Sequence, residues 1–250
     1  MRAVQVSELD GPSAVRVAEV EPPVRGDGEV LIDVAAAGVN FIDTYQREGI
    51  YPMETPYVAG LEGAGRVTAL GADVDGVAVG DRIAWANTLG SYAEQVAVPW
   101  AKAVPVPEGV ADDVAVGAAL QGMTAHYLTH SLFPLAEGHT CLIHAGAGGM
   151  GQLAIQLAKM RGAEVIVTVG SEEKAEIARQ RGADHAILYR DMDFADAVLE
   201  ITGGLGADVV YDPVGGEQFT AAFRACNPEA RYLAIGFASG DVPQIKANHL

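Results

Sequence analysis

The densest chemical signal in the chain is the segment Thr140-Cys-Leu-Ile-His-Ala-Gly-Ala-Gly-Gly-Met-Gly-Gln-Leu-Ala-Ile-Gln-Leu-Ala-Lys159. Its apolar run over 141–144 reads as a buried strand. The run breaks into Gly146, Gly148, Gly149 and Gly151, and then into a helix whose inner face carries Leu153, Ile155, Leu157 and Ala158. Gly146, Gly148 and Gly151 fit a G-x-G-x-x-G pattern. One glycine permits the tight turn, one lets main chain approach a pyrophosphate, and one lets the helix pack close on the strand. Together with Ala147, Gly149 and Met150 they form a loop that offers free N–H groups to phosphates at the positive end of a helix. A lone glycine motif is weak, but here the strand before it and the helix after it supply the required context.

The next residues in the same half indicate which nucleotide. In the NAD form of such a site an acidic side chain about 20 residues beyond the motif holds the ribose. Here the second strand ends Thr168-Val169-Gly170-Ser171, with no Asp or Glu at its tip. Ser171 can donate to a phosphate, and Lys174 follows one helical turn later as a point charge. Tyr189 can stack on adenine, and Arg190 adds a cation. An uncharged tip with cations nearby favours a 2′-phosphate, hence NADPH. The competing reading pairs Lys174 with a neighbouring glutamate on a solvated face; Glu172 and Glu173 suit a helix N-terminus for dipole reasons alone. Val214, in Asp212-Pro-Val-Gly-Gly216, falls at a strand's C-terminal end, where such sheets bind ligands.

Other polar residues are ambiguous by spacing alone. Asn40 can cap a helix or serve as a non-titrating donor, and Tyr45 and Tyr51 can pack or donate; by spacing the structural role weighs more. Asp43 reads as a helix-start residue. His126, His130 and His144 show no metal spacing. Cys141 and Cys226 read as small buried hydrophobes, with neither a disulfide framework nor a cysteine zinc site.

The elements that position these residues fall into two stretches. Residues 1–20 read as two strands joined at Asp10-Gly11-Pro12, followed by a strand over 29–35 and a short helix opened by Asp43, Thr44 and Tyr45. Short strands alternating with glycine turns are predicted over 58–82, with further strands over 80–85 and 91–98. Many short strands without intervening helices predict a β-rich, barrel-like domain over 1–120. A helix-like stretch over 111–130, interrupted at Gly122, precedes a change of rhythm. Strands over 141–144, 164–169, 185–189, 208–212 and 232–235 then alternate with helices near 150–161, 172–181, 194–201 and 217–226. That alternation predicts a parallel, doubly wound α/β sheet over 121–250. The chain stops at Asn248-His-Leu250 without a closing helix after the fifth strand, so the expectation is either a sheet that ends early or a fragment of a longer protein.

With 16 Lys and Arg against 33 Asp and Glu, the net charge of −17 argues against nucleic-acid and anionic-membrane partners. Lysine is confined to Lys102, Lys159, Lys174 and Lys246, which fits either high salt or an ordinary acidic protein. No apolar run is long enough to span a bilayer, and the N-terminus reads as a strand, so the expected location is cytoplasmic.

Four motifs carry a family resemblance: Asn40-Phe-Ile-Asp-Thr-Tyr-Gln-Arg-Glu-Gly-Ile-Tyr-Pro52, Gly60-Leu-Glu-Gly-Ala-Gly-Arg-Val67, Gln121-Gly-Met-Thr-Ala125 and Ala145-Gly-Ala-Gly-Gly-Met-Gly151. With these the whole chain resembles the zinc-independent quinone oxidoreductases (zeta-crystallin type) of the medium-chain dehydrogenase/reductase superfamily. Gly146 and Met150 depart from that family's usual Ala or Ser, and Val. Zinc-binding members carry Cys where Asn40 stands and His where Leu61 stands, and leucine cannot ligate a metal. The resemblance implies a GroES-like N-terminal domain, a Rossmann domain, NADPH as cofactor and no metal. It further implies hydride transfer to a quinone or similar conjugated carbonyl, with Asn40, Tyr45 and Tyr51 as catalytic residues and Thr124 near the nicotinamide. A homodimer is implied if the family's C-terminal segment is present. An enoyl or alkenal (C=C) reductase is the neighbouring reading, and a non-catalytic NADPH-binding or crystallin-like protein is the rival. The charge logic predicts that Lys174→Ala weakens NADPH binding about tenfold or more while leaving NADH nearly unchanged; paired titrations check this, and equal losses contradict it.

Overall fold

The computed structural model describes residues 1–240; Lys246 and the terminal Asn248-His-Leu250 lie outside the described residues. The chain divides into two compact units, Met1–Leu120 and Gln121–Leu250. Among the described residues no helix is long and apolar enough to cross a membrane.

In the first unit β1 (Arg2–Val6) and β2 (Val15–Glu19) pair antiparallel, and the Gly11-Pro12 signal becomes a 3-10 turn over Gly11–Ala14. There follow β3 (Glu29–Ala37), α1 (Ile42–Arg47), β4 (Tyr57–Val58), β5 (Glu62–Leu70), β6 (Arg82–Ala86), β7 (Gln95–Pro99) and β8 (Ala103–Pro105). They form two antiparallel sheets, in the orders β2-β1-β4 and β7-β3-β5-β6-β8. Alternate residues of the larger sheet turn inward, so that Val30, Ile32, Val67, Ile83, Trp85, Val96 and Val98 share one core. Trp85 is almost fully buried and keeps its ring N–H satisfied by donating to Ser91 Oγ at 2.9 Å.

Two sequence expectations are corrected here. Glycine turns were expected to break up residues 58–82, yet β5 runs unbroken for nine residues. A Cβ on Gly65 would lie 2.1 Å from the Asp33 carbonyl oxygen of β3, so this glycine serves close strand approach rather than a turn. The strand expected over 91–98 begins only at Gln95, because Ser91 and Tyr92 donate their N–H groups to the carbonyls of Gly60 and Ala59 outside the ladder.

The helix α2 (Asp112–Tyr127) passes through Gly122 without the expected interruption, and a π turn over Leu128–Leu132 follows. A mid-helix glycine costs about 1 kcal/mol, which burial of Ala125 and Leu128 offsets.

The second unit alternates β9 (Thr140–His144), α3 (Gly149–Met160), β10 (Glu164–Val169), α4 (Glu172–Gln180), β11 (His185–Leu188), α5 (Phe194–Ile201), β12 (Ala207–Asp212), α6 (Glu217–Arg224) and β13 (Cys226–Ala234). The sheet is parallel throughout, in the order β11-β10-β9-β12-β13. Its central strands β9, β10 and β12 are largely apolar and buried through their middles, as expected where both faces are covered. Cys141 and Ile143 face the layer holding Ala154 and Ala158 of α3, while Leu142 faces the layer holding Phe194 and Val198 of α5. β13 starts earlier than the 232–235 expected. Its pairing jumps from Ala207↔Cys226 to Val209↔Arg231, and Pro228 lies in that excursion at the border of the described sheet.

His144, at the end of β9, is fully buried. Its Nδ1 lies 2.7 Å from Thr168 Oγ1, its ring meets Phe194 edge-on, and Nε2 has no hydrogen-bond partner among the described residues. Burial pushes its pKa down to about 4, with the nearby Asp212 charge opposing. An unfolded histidine titrates near 6.5, so below that pH the unfolded chain takes up a proton that the folded chain refuses. The stability is complete above pH ~6.5 and is lost as pH falls toward 4, by on the order of 3 kcal/mol in full. His144→Asn is therefore expected to flatten the stability profile over that window in urea titrations, and an unaltered slope contradicts the assignment.

Candidate functional site

The strand order of the second unit reverses between β9 and β12, and the loops leaving those two strands diverge around a crevice. β9 hands over to α3 through a turn closed by Gly148 N–H donating to the Ala145 carbonyl at 2.9 Å. Ala145 takes φ +54°, a left-handed conformation that costs a non-glycine residue about 1 kcal/mol. A Cβ on Gly146 would sit 2.6 Å from Val167 Cβ, and one on Gly151 would sit 2.5 Å from the Ala145 carbonyl oxygen. Gly148 differs: the nearest atom to a Cβ there is at 3.2 Å, and the residue is exposed. As N-cap of α3 it brings no side chain to the first-turn amides, and no acidic residue lies in that turn. The amides of Gly149, Met150 and Gly151 are thus the orphan donors that every helix start presents.

The crevice holds about 230 Å³, and its walls include Ala147, Gly148, Gly170, Lys174, Tyr189 and Val214, joined by Gln218. At the tip of β10 the main chain of Gly170 runs under the Tyr189 hydroxyl and the Arg190 guanidinium, 3.0 and 3.4 Å from where a Cβ would stand. Ser171 caps α4, its Oγ accepting from Lys174 N–H at 3.4 Å, which leaves its hydroxyl proton to be donated elsewhere. Arg179 pairs with Glu172 at 2.5 Å and with Glu176 at 3.8 Å. Among the described residues Lys174 makes no ion pair, so the solvated-face reading of it finds no partner here. Asp212 is consumed by its own loop: Oδ1 accepts from Val214 N–H at 2.7 Å and Gly215 N–H at 3.1 Å, and Oδ2 accepts from the Tyr232 hydroxyl. Burial, then hydrogen bonding to Asp212, raises the Tyr232 pKa.

Some residues singled out in the sequence lie off these walls. Met150 packs its side chain toward the core layer of β9 and α3. Gly149 lies against Gln121, whose Oε1 is 2.0 Å from where a Cβ would be. Thr124, on α2, is not on the crevice wall. Gln218 escaped the sequence reading, although the rule that pointed to Val214 applies equally to the helix start after β12.

In the first unit Asn40, Tyr45 and Tyr51 cluster around α1. Asn40 N–H donates to Asp43 Oδ2 at 2.9 Å, so Asp43 does hold the helix entry. The Tyr92 hydroxyl lies 2.6 Å from the same carboxylate oxygen and 3.0 Å from the Gly38 carbonyl, and burial followed by Asp43 raises its pKa. Asn40 Nδ2 donates to Glu62 Oε1 at 2.6 Å. Tyr45 is buried, with edge contacts to Phe41 and Tyr51 at 5.2 and 5.6 Å between centroids, whereas Tyr51 is exposed. Among the described residues no group of three or more His, Cys, Asp or Glu could hold a metal ion. Glu62 also went unassigned in the sequence; its place inside a quoted motif was the available signal.

Residues 26–108 match the family described as "Alcohol dehydrogenase GroES-like domain", and residues 149–250 the one described as "Zinc-binding dehydrogenase". These two matches define the class, a GroES-like domain followed by a Rossmann-type domain. A quinone oxidoreductase of Pseudomonas aeruginosa is 40% identical over 243 residues, covering 96% of this chain and 75% of that protein. A 2-haloacrylate reductase of a Burkholderia species is 41% identical, covering 98% of this chain and 75% of its own length. The solved Escherichia coli quinone oxidoreductase complexed with NADPH superposes with a TM-score of 0.96 at 33% identity, over 99% of this chain and 77% of that one. The chain belongs to the quinone oxidoreductase family of the medium-chain dehydrogenase/reductase superfamily.

The glycine geometry is testable by stability alone. Gly151→Ala drives a methyl into main-chain atoms that cannot yield, so about 2 kcal/mol of unfolding free energy should be lost. Gly148→Ala should stay within about 0.5–1 kcal/mol. Urea denaturation compares the two, and equal midpoints contradict the packing argument.

Proposed function

We propose that this chain is an NADPH-dependent oxidoreductase that delivers hydride to a quinone or similar conjugated carbonyl without a metal. The observation that carries the reading is the crevice at the strand-order reversal, whose acid-free β10 tip sets Lys174 and Arg190 beside Gly170 and Tyr189. The NADPH complex of the Escherichia coli relative supports it.

In this reading the pyrophosphate rests on the amides after β9, held by Gly146, Ala147, Gly148, Gly149, Met150 and Gly151. Ser171 and Lys174 take the 2′-phosphate, Tyr189 lies along the adenine, and Val214 and Thr124 flank the nicotinamide side. When bound, the reduced nicotinamide supplies the hydride. The protein's own residues orient the rings, exclude water and meet the charge that develops on the acceptor oxygen. Asn40 and the exposed Tyr51 are the donors to that oxygen, and Tyr45 packs edge-on behind Tyr51. The balance is quinone, NADPH and one proton giving hydroquinone and NADP⁺. The case against zinc is chemical: Leu61 carries no lone pair, and the Asn40 amide is engaged by Glu62.

The 2-haloacrylate reductase relative favours a second reading, reduction of a conjugated C=C by the same hydride. Loss of reduced-nicotinamide absorbance with 1,4-benzoquinone against 2-chloroacrylate separates the two. The quinone is expected to be consumed faster, with NADPH preferred over NADH, and Tyr51→Phe to lower kcat/KM for the quinone about tenfold. Turnover of 2-chloroacrylate alone would transfer the assignment to the second reading, and turnover of neither would refute both.

A further inference from the structure

Glu62, at the start of β5, is a carboxylate only 1% exposed, and among the described residues it forms no ion pair. A buried carboxylate without a cation survives only where N–H donors meet its oxygens. Glu62 Oε2 accepts from Leu120 N–H of α2 at 2.7 Å, and Oε1 accepts from Asn40 Nδ2 at 2.6 Å. The fold keeps room for it: a Cβ on Gly38 would lie 2.1 Å from Oε1, so any side chain at position 38 would push the carboxylate out.

This contact decides something that an asparagine alone leaves open. The two ends of a carboxamide have nearly the same shape but opposite hydrogen-bonding sense. Asn40 Nδ2 gives one of its two N–H groups to Glu62 Oε1, which turns the carbonyl end away from Glu62 and makes the second N–H the one to donate to the acceptor. The Asn40 main chain is fixed separately by Asp43 Oδ2, which also meets the Tyr92 hydroxyl. Backbone and carboxamide are thereby each held by a different carboxylate.

We propose that Glu62 is a positioning residue for hydride transfer, holding the Asn40 carboxamide in one of its two flips so that it meets the acceptor in a fixed orientation. The proposal rests on the reading of Asn40 as a donor to the acceptor oxygen. Glutamine at position 62 keeps the size but has one accepting oxygen for two donors, Leu120 N–H and Asn40 Nδ2. One donor then faces an NH₂ group, and the contact that selects a single Asn40 flip is lost.

The test is a double-mutant cycle on the full chain, read as quinone kcat/KM, NADPH affinity and melting temperature. Glu62→Gln is expected to lower kcat/KM about 10- to 100-fold, with NADPH affinity within about twofold of the wild type. Because Glu62 acts through Asn40, Asn40→Ala combined with Glu62→Gln should be no slower than Asn40→Ala alone. A double variant showing the product of the two single losses, or wild-type turnover in Glu62→Gln while Asn40→Ala is impaired, overturns the positioning role and leaves Asn40's role intact. Wild-type turnover in Asn40→Ala removes the donor reading, and the proposal with it. If Glu62→Gln fails to fold, side-chain amide NMR of the wild type decides. The Asn40 NH₂ pair, identified by its loss in Asn40→Ala, should show one strongly downfield, exchange-protected proton; two solvent-like protons overturn the proposal.

Discussion

The crevice of the second unit depends on how closely the main chain entering α3 passes over the main chain leaving β9. Peptide planes can approach that closely only where Cβ atoms are missing, and at Gly151 the obstacle would be the Ala145 carbonyl itself. The same turn bends Ala145 into a left-handed conformation, a local cost that the packed sheet on either side offsets. What results is a helix start with bare amides, no capping side chain and no competing acid, at the point where the strand order reverses. A ligand phosphate is the partner that such a helix end lacks.

The chain is strongly acidic, yet its buried and half-buried carboxylates do little for its surface potential. Asp212 is occupied by the amides of its own loop and by Tyr232. Asp43 holds the entry to α1, and Glu62 joins β5 to α2 while gripping Asn40. Near β10 the surface acids pair among themselves, Glu172 and Glu176 with Arg179, which leaves Lys174 and Arg190 as local cations in a negative protein. Net charge bears on partners as large as nucleic acids and membranes. A single phosphate responds to the few charges within a Debye length of it, so a chain at −17 can still hold an anion.

The two units were legible to different degrees. In the second, periodicity sufficed: the predicted span of β10, 164–169, is the observed one, and the start of α4 at Glu172 differs from expectation by nothing. Each βα step is a local pattern, with an apolar run, a glycine, a cap and an amphipathic helix within some 25 residues. In the first unit the strands answer to neighbours distant in sequence. Gly65 reads as a turn until β3 is laid beside it, and Ser91 and Tyr92 read as strand until their amides are traced to Gly60 and Ala59. Gly122 reads as a break until the buried neighbours on its helix are counted.

Sequence alone therefore determined the alternating architecture seen over residues 140–234, the glycine-rich turn after β9 and the absence of acid at the β10 tip. It also placed Gly170, Lys174, Tyr189 and Val214 in one neighbourhood, because topology brings the C-terminal ends of parallel strands together. Only the tertiary structure decided that Tyr45 is buried while Tyr51 is exposed, that Gln218 joins the crevice, and that Glu62 grips Asn40. Those facts follow from side chains meeting across segments 22 or more residues apart, or from which side of a helix faces a particular neighbour. Local propensity carries no information about either; packing does.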